Sequence, residues 1–423
     1  MRPLPQIPDW VNLEHQVALL LTQQENYGWS FDSNRAEQLA YELREELRQT
    51  TESLRRKHPD VDGGTFTPRR DNRTTGYRAG ATLTRLKELN PTSRDHIGWV
   101  LQNFYGWKPT ATTSSGKPVI DETTLKDVGL PIAMEFLKCL TVTKMLGLLS
   151  QGTNAWLKLN TKYDRIHHHC SVACSTHRAA HRKPNLAQVP SDERFRALFI
   201  PSKGRIMVGA DLSGIELRML SHYLARWDDG RYADILLNGD IHQVNADKIG
   251  ISRRLTKTVT YAFLYGAGDL KVGLSYDPQL SESAAKKKGK EIKQAYVEAI
   301  PGLGDLLSAV QKASERGFIK AIDGRQIAVD SSHKSLNYLL QSGASCVAKR
   351  WMVIAQETID TVGIQANQVA FIHDELQYDC HPNYEHDLRT SLEYSATRAG
   401  EYYKLRVRID AESKAGSSWA GTH

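Results

Sequence analysis

Cysteine is scarce in this chain. Five stand among 423 residues, unevenly placed, and so few imply no disulfide framework. No signal-like apolar stretch opens the chain, and no apolar run is long enough to span a bilayer. The expectation is therefore a cytoplasmic protein without a membrane partner. An excess of acid is missing too: 55 Lys and Arg face 48 Asp and Glu, a net charge of +7. The pI of about 9.0 favours a polyanionic partner, although many basic proteins bind none. With 40% apolar and 24% charged residues, the chain reads as globular, with more than one domain or subdomain.

What is present is more pointed. Arg205 to Ala210 reads as a buried strand that delivers Asp211 to its end, ahead of a helix marked by Ile215, Leu217, Leu220 and Leu224. The run Gln368 to Tyr378 reads as a hairpin with His373-Asp374 at its tip. Side chains alternate along a strand, so Asp374 and Glu375 should point to different sides of the turn. Two carboxylates on adjacent strands can hold two Mg²⁺ ions about 3.5–4 Å apart, one near an attacking 3′-hydroxyl and one near a leaving pyrophosphate. Each aspartate alone reads equally as a helix N-cap or a turn residue.

The segment between them alters that weighing. Ser252 to Gly266 has helical length and glycine stop signals at Gly266 and Gly268. Arg253, Lys257, Tyr261 and Tyr265 recur at every fourth position and share one face, a stripe roughly 18 Å long. The cations suit the outer phosphates of a triphosphate and the tyrosines suit sugar and base. A solvated basic face is the plain alternative, but such a face should not carry two tyrosines in the same register.

These residues resemble the motifs of the DNA polymerase I family, family A. Asp211-Leu212-Ser213-Gly214-Ile215-Glu216-Leu217-Arg218 looks like motif A. Arg253-x3-Lys257-x3-Tyr261-x3-Tyr265-Gly266 looks like motif B, and His373-Asp374-Glu375 like motif C. Neighbouring wording, such as Asn238-Gly239-Asp240-Ile241-His242 and Leu339-Leu340-Gln341-Ser342, is most similar to replicative polymerases of short-tailed bacteriophages. The similarity runs from about residue 11 to the C-terminus.

The resemblance implies an α+β right-hand polymerase fold, with an antiparallel palm sheet and helical fingers and thumb. It implies template-directed DNA synthesis, with primer–template DNA and dNTPs as partners and two Mg²⁺ (or Mn²⁺) as cofactors; for a viral chain the compartment is the host cytoplasm. By the same resemblance Asp211, Asp374 and the carbonyl of Leu212 would bind metal. Arg253, Lys257 and His242 would hold the triphosphate, with Lys257 also a general acid. Tyr261 would lie against the sugar, Glu216 would exclude a ribose 2′-hydroxyl, and Tyr265 would close over the nascent pair. His373 and Glu375 would support the primer terminus, and Arg178 and Gln341 would reach minor-groove acceptors.

The implied organisation is a stub at 1–10, a thumb at 11–151, palm at 152–237 and 332–423, and fingers at 238–331. In the thumb, two helices are expected between about 11 and 57, others from about Ser93 to Tyr105 and from Asp121 to Ser150. Pro59 to about Leu89 is expected as a short basic loop with Arg69, Arg70, Arg73 and Arg78. It stands where some relatives insert a thioredoxin-binding loop, so that clamp is not favoured. The run Ala285-Lys286-Lys287-Lys288-Gly289-Lys290, on the fingers, reads as a solvated helix face, with contact to template strand as the lesser alternative.

Two departures stand out. The proofreading exonuclease domain that precedes the thumb in phage relatives is missing. A split gene with a separate exonuclease subunit or processivity factor, an enzyme that does not proofread, and a piece cut at the boundary all fit. Second, His177 occupies a position where relatives usually have glycine, just before Arg178, and glycine permits backbone that histidine resists.

One cluster remains: His167-His168-His169-Cys170-x3-Cys174-x2-His177-x3-His181. Its ligand types suit zinc, but its gaps fit no common zinc module, and a surface or DNA-facing cluster is the favoured reading. Among whole-chain functions, a single-subunit RNA polymerase is disfavoured by Glu216, and a nuclease by the triphosphate stripe. An inactive or partner-dependent DNA-binding subunit of a split polymerase is the alternative to the enzyme. The complete set Asp211, Asp374, Arg253 and Lys257 speaks against it.

Overall fold

The computed structural model describes residues 7–277 and 280–423, so residues 1–6 of the expected N-terminal stub lie outside the described residues. The chain folds as two compact units, Asn34–Lys158 and Met1–Ser33 with Leu159–His423.

The smaller unit is built on the helix Ser33–Lys57, whose Ala36, Leu39, Ala40 and Leu43 are buried at the three-to-four spacing of one helical face. Its further core gathers Leu54, Val61, Ile97, Leu101, Phe136 and Leu137. Ser93 caps the helix Arg94–Tyr105 with its hydroxyl. The helix expected from Asp121 to Ser150 is two helices, Glu122–Asp127 and Pro131–Leu146. Gly129 sits at φ 68°, and Pro131, with its fixed φ and no N–H, starts the second helix.

The expected basic loop is also more ordered than its composition suggests. Asp60–Phe66 pairs antiparallel with Leu83–Glu88, through a bulge between Asp62 and Thr65. Among the first strand's residues Val61 alone is fully buried, so the hairpin has no apolar face that a period-two reading could detect.

The larger unit holds a four-stranded antiparallel sheet in the order Ala366–Ile372, Glu375–Cys380, Ile206–Leu212, Ala411–Gly416. The central Ile206–Leu212 strand buries Met207 to Ala210 in succession, as a strand covered on both faces must. Helices Ser335–Val362 and Glu385–Tyr402 pack on one another, and Asp9–Tyr27 lies along Ala366–Ile372. Trp351 locks the first two by donating its indole N–H to the Leu392 carbonyl at 2.8 Å.

Between the motif strands in sequence come the helices Ile241–Ile249, Arg253–Leu264, Asp269–Tyr276, Glu282–Ala299 and Leu303–Ser314. Two of them touch backbone to backbone. A Cβ at Gly273 would fall 1.8 Å from the Ala285 carbonyl oxygen, and one at Gly289 1.8 Å from that of Asp269. Only hydrogen in place of a side chain allows this approach. The lysine run lies on Glu282–Ala299, where Lys286 pairs with Glu282 at 2.6 Å. Among the described residues no helix is long and apolar enough to cross a membrane.

Candidate active site

The two aspartates are brought together by strand pairing. Asp211 lies opposite Glu375 in the register of adjacent strands, and the Leu212 N–H donates to the Asp374 carbonyl at 3.0 Å. The tip His373-Asp374 is a two-residue turn with His373 at φ 61°. That region is normally given to Gly, Asn or Asp in tight hairpins and costs a residue with a Cβ about 1–2 kcal/mol.

Burial, then the charge of Asp211 and of Glu216, pushes the Asp374 carboxyl up to about 8, against the opposing pull of Arg178. Asp211 is pushed up to about 6 by partial burial, then by Glu375, with Glu216 and Glu412 adding to it. The pair is thus an electron-rich cluster that protons or a cation must neutralise.

The fourth-position stripe forms on the helix Arg253–Leu264, capped by Ser252, whose hydroxyl accepts the Leu255 N–H at 3.3 Å. Arg253 donates to Asp240 at 2.6 Å, and Asp240 itself caps the next-door helix at His242 and Gln243. His242 is buried with its ring 6.2 Å from that of Tyr261. Burial lowers its proton affinity, with Lys257 and Arg253 adding to that and Asp240 opposing it. Lys257 is exposed.

The rings of Tyr261 and Tyr265 stack at 6.4 Å and 19°. Partial burial, then the carboxylates of Glu216 and Asp374, raises the Tyr261 hydroxyl. The stripe and the carboxylate pair therefore share one electrostatic environment. Glu216 joins them: one of its oxygens accepts from Arg178 at 2.8 Å and from the Tyr265 hydroxyl at 3.0 Å.

Arg178 is aimed by the residue before it. His177 takes φ 63°, the left-handed path expected of a glycine. The Ser335–Val362 helix holds it there: His177 Nδ1 bonds Ser342 Oγ at 2.6 Å, and Ser345 Oγ donates to the His177 carbonyl at 2.7 Å. Gln341, half-buried, precedes Ser342 on the same helix.

Glu375 turns inward. It accepts from Trp419 Nε1 at 2.6 Å and from Gln377 at 2.7 Å, and lies 3.2 Å from His423 Nδ1. Sequence reasoning missed Trp419 and His423, since nothing local marks a C-terminal turn that folds back on a strand. It also missed Asp410, which pairs with Arg218 at 2.8 Å and accepts the Ser213 N–H on its carbonyl at 2.9 Å.

The histidine and cysteine cluster is not on the surface. His168, Cys170 and His181 are buried together. His167 bonds the Glu25 carbonyl and His169 the Glu25 carboxylate, at 2.7 and 2.8 Å. The pairing of His169–Ser171 with Ala180–Arg182 sets Cys170 opposite His181, a relation that linear spacing conceals.

The family model of DNA polymerase family A matches residues 73–421. The chain is 32% identical to the DNA-directed DNA polymerase of Escherichia phage T7 and 33% identical to that of Enterobacteria phage T3. Each match covers 98% of this chain and 70% of the relative. The DNA polymerase I of Pseudomonas aeruginosa is 26% identical over 80% of this chain and 39% of its own length. The solved POL domain of Pol1 from M. smegmatis, in complex with DNA primer-template and dNTP, superposes with a TM-score of 0.77 at 21% identity. That match covers 96% of this chain and 70% of the other. The chain belongs to DNA polymerase family A. It is thereby a DNA-directed DNA polymerase, a nucleotidyltransferase, with the family's mixed helix-and-sheet fold.

Proposed function

We propose that this chain extends the 3′-hydroxyl end of a DNA primer with deoxynucleotides, by transfer at Asp211 and Asp374. The observation that carries the proposal is the pairing of these two carboxylates, each made less acidic by burial and charge, beside the Arg253–Tyr265 stripe.

The donor set suits Mg²⁺: hard oxygens, few of them, and an unneutralised local charge. Asp211, Asp374 and the Leu212 carbonyl would hold it. Bound there, two such ions would make the primer hydroxyl a nucleophile at neutral pH and neutralise the leaving pyrophosphate.

The remaining work falls to this chain's side chains. Arg253, Lys257 and His242 bind the triphosphate oxygens, and Lys257 donates a proton to the departing pyrophosphate. Arg253 must give up Asp240 to do so. That pair is exposed and contributes little, so phosphate displaces it readily. Tyr261 packs against the sugar, and Glu216 occupies the space of a ribose 2′-hydroxyl. Tyr265 covers the nascent base pair. Arg178 and Gln341 read minor-groove acceptors common to all base pairs. His373 supports the primer terminus. Glu375 acts from beneath it through the Trp419 and Gln377 bonds. The smaller unit serves as the thumb.

A primer-extension gel tests the proposal, with the chain alone, Mg²⁺, a 5′-labelled primer–template and either deoxy- or ribonucleotides. Extension with deoxynucleotides only, and no primer shortening when nucleotides are withheld, is expected. Absence of extension would return the lead to a partner-dependent DNA-binding subunit.

A further inference from the structure

Four buried side-chain ends converge between the helix Asp9–Tyr27 and the hairpin His169–Ser171 with Ala180–Arg182. Gln24 Nε2 lies 3.0 Å from His168 Nε2 and 3.6 Å from Cys170 Sγ. Cys170 Sγ lies 3.2 Å from His181 Nδ1. His168 and Gln24 are essentially inaccessible, at 0% and 1% exposure, and Cys170 and His181 reach 7% and 9%. One ligand atom from each of His168, Cys170 and His181 falls within 4.8 Å of the others. A tetrahedral zinc ion with bonds of about 2.0–2.3 Å needs ligand atoms about 3.3–3.8 Å apart. The three contacts, at 3.0, 3.2 and 3.6 Å, fall within about 0.3 Å of that range.

The amide is oriented by its neighbour. Gln24 Oε1 accepts from Gln368 Nε2 at 2.8 Å, and Gln368 Oε1 faces the Tyr378 hydroxyl at 3.4 Å. Rotating both amides by half a turn preserves the bond between them, with Gln24 now donating and the Tyr378 hydroxyl accepting, and gives up only the weak Gln368 Nε2 contact to Met352 Sδ at 3.3 Å. The Gln24 carbonyl oxygen then points at the imidazole and the sulfur. Two imidazoles and one sulfur are ligand types that zinc takes, and the amide oxygen adds a fourth, neutral oxygen donor.

We infer that His168, Cys170 and His181, with the Gln24 side-chain oxygen as fourth ligand, form a structural zinc site. No member belongs to the motifs assigned to nucleotidyl transfer. Binding forms one bond from the metal to each of the four atoms and releases the Cys170 thiol proton to solvent. Both imidazoles are already in the neutral form a metal requires, since burial pushes His168 down to about 3 and His181 to about 4. The closed pocket leaves no open position for substrate, so the ion would act as a brace. It would tie the helix Asp9–Tyr27 to the hairpin His169–Ser171 and Ala180–Arg182, whose connection carries Arg178.

The test uses the full chain, purified with zinc and then washed with chelator, with metal content read by mass spectrometry. About one zinc per chain is expected to survive a brief wash, because structural zinc sites bind tightly. Cobalt exchanged into the same protein should show a near-ultraviolet thiolate-to-cobalt band. That band identifies sulfur ligation, so the carboxylates Asp211 and Asp374 cannot produce it. It should persist in Asp374→Asn and vanish in Cys170→Ser. Under about a tenth of an equivalent of zinc in the folded wild-type chain, or a cobalt band that survives Cys170→Ser, would overturn the site. Metal content and spectrum are read without polymerase activity, so either result is independent of the reading of Asp211 and Asp374. Should Cys170→Ser fail to fold, the wild-type metal content and band decide by themselves.

Discussion

Arg178 donates to Glu216 at 2.8 Å, and the oxygen that accepts it also accepts the hydroxyl of Tyr265 at 3.0 Å. Glu216 is therefore the hub joining Arg178, the proposed reader of the minor groove, to the tyrosine that caps the motif helix. In the proposed mechanism it also fills the space of a ribose hydroxyl. Glu216→Ala should admit ribonucleotides. Making room for one hydroxyl in a fitted pocket is worth about 10–200-fold in selectivity. The ratio of ribo- to deoxynucleotide incorporation should rise by about tenfold or more, measured by single-nucleotide extension. An unchanged ratio would remove Glu216 from that role.

Tyr261, half-buried beside His242, supplies a hydroxyl where a phenylalanine would supply none. With tyrosine the chain should tolerate dideoxynucleotides, and Tyr261→Phe should select against them by about tenfold or more, roughly 1.4 kcal/mol. Competition between labelled dideoxy- and deoxynucleotides reads the change.

The metal-free chain should lose stability as pH rises. Asp211 and Asp374 hold protons up to about 6 and about 8 when folded, against about 3.9 unfolded. Between those values the folded state binds more protons, so stability falls with increasing pH. Their share is complete below about pH 4 and is lost as pH passes through 6 and 8. In chelator, Tm should be lower at pH 8 than at pH 6, and Asp374→Asn should flatten the difference. The same substitution should abolish synthesis while leaving primer–template binding nearly intact. A Tm that rises with pH in chelator would contradict the carboxylate repulsion.

Glu14 anchors a second, deeper network. It bonds the fully buried Lys349 through both oxygens, at 2.7 and 2.8 Å, and also Arg325. Arg325 Nε donates to Asp323 in turn, at 2.7 Å. Glu14→Leu would strand a buried ammonium, which costs about 3–5 kcal/mol. Urea unfolding should show that loss, and a change under about 1 kcal/mol would mean that water reaches Lys349.

His177 sets two effects against each other. Its left-handed backbone costs about 1–2 kcal/mol, and its bond to Ser342 returns about 0.5–1.5 kcal/mol. His177→Gly should remove both and leave stability within about 1 kcal/mol of wild type. His177→Ala keeps the strain, loses the bond, and should fall about 1 kcal/mol below the glycine variant. Equal stabilities would show that the backbone path relaxes on substitution.

Much of the site is legible in the sequence. The spacing of Arg253, Lys257, Tyr261 and Tyr265 needs only helical periodicity to become one stripe, and the strand ends of Asp211 and Asp374 need only apolar runs and turn signals. The smaller unit was harder to read. Its hairpin at Asp60–Phe66 and Leu83–Glu88 is polar on both faces, so pattern alone returned a loop. Gly129 and Pro131 were local break signals, yet one long helix was expected across them.

The sequence by itself determined the motif order, the strand ends at Asp211 and Asp374 and the helical stripe from Arg253 to Tyr265, because each depends on residues close together along the chain. The fold class followed from the family those motifs resemble. Tertiary structure alone decided which partners these groups meet. Glu216 meets both Arg178 and Tyr265, Glu375 is covered by Trp419 and His423, and a scattered histidine–cysteine run becomes one buried cluster with Gln24. Those contacts join segments tens to hundreds of residues apart, and sheet register and burial, which no local pattern encodes, set their distances.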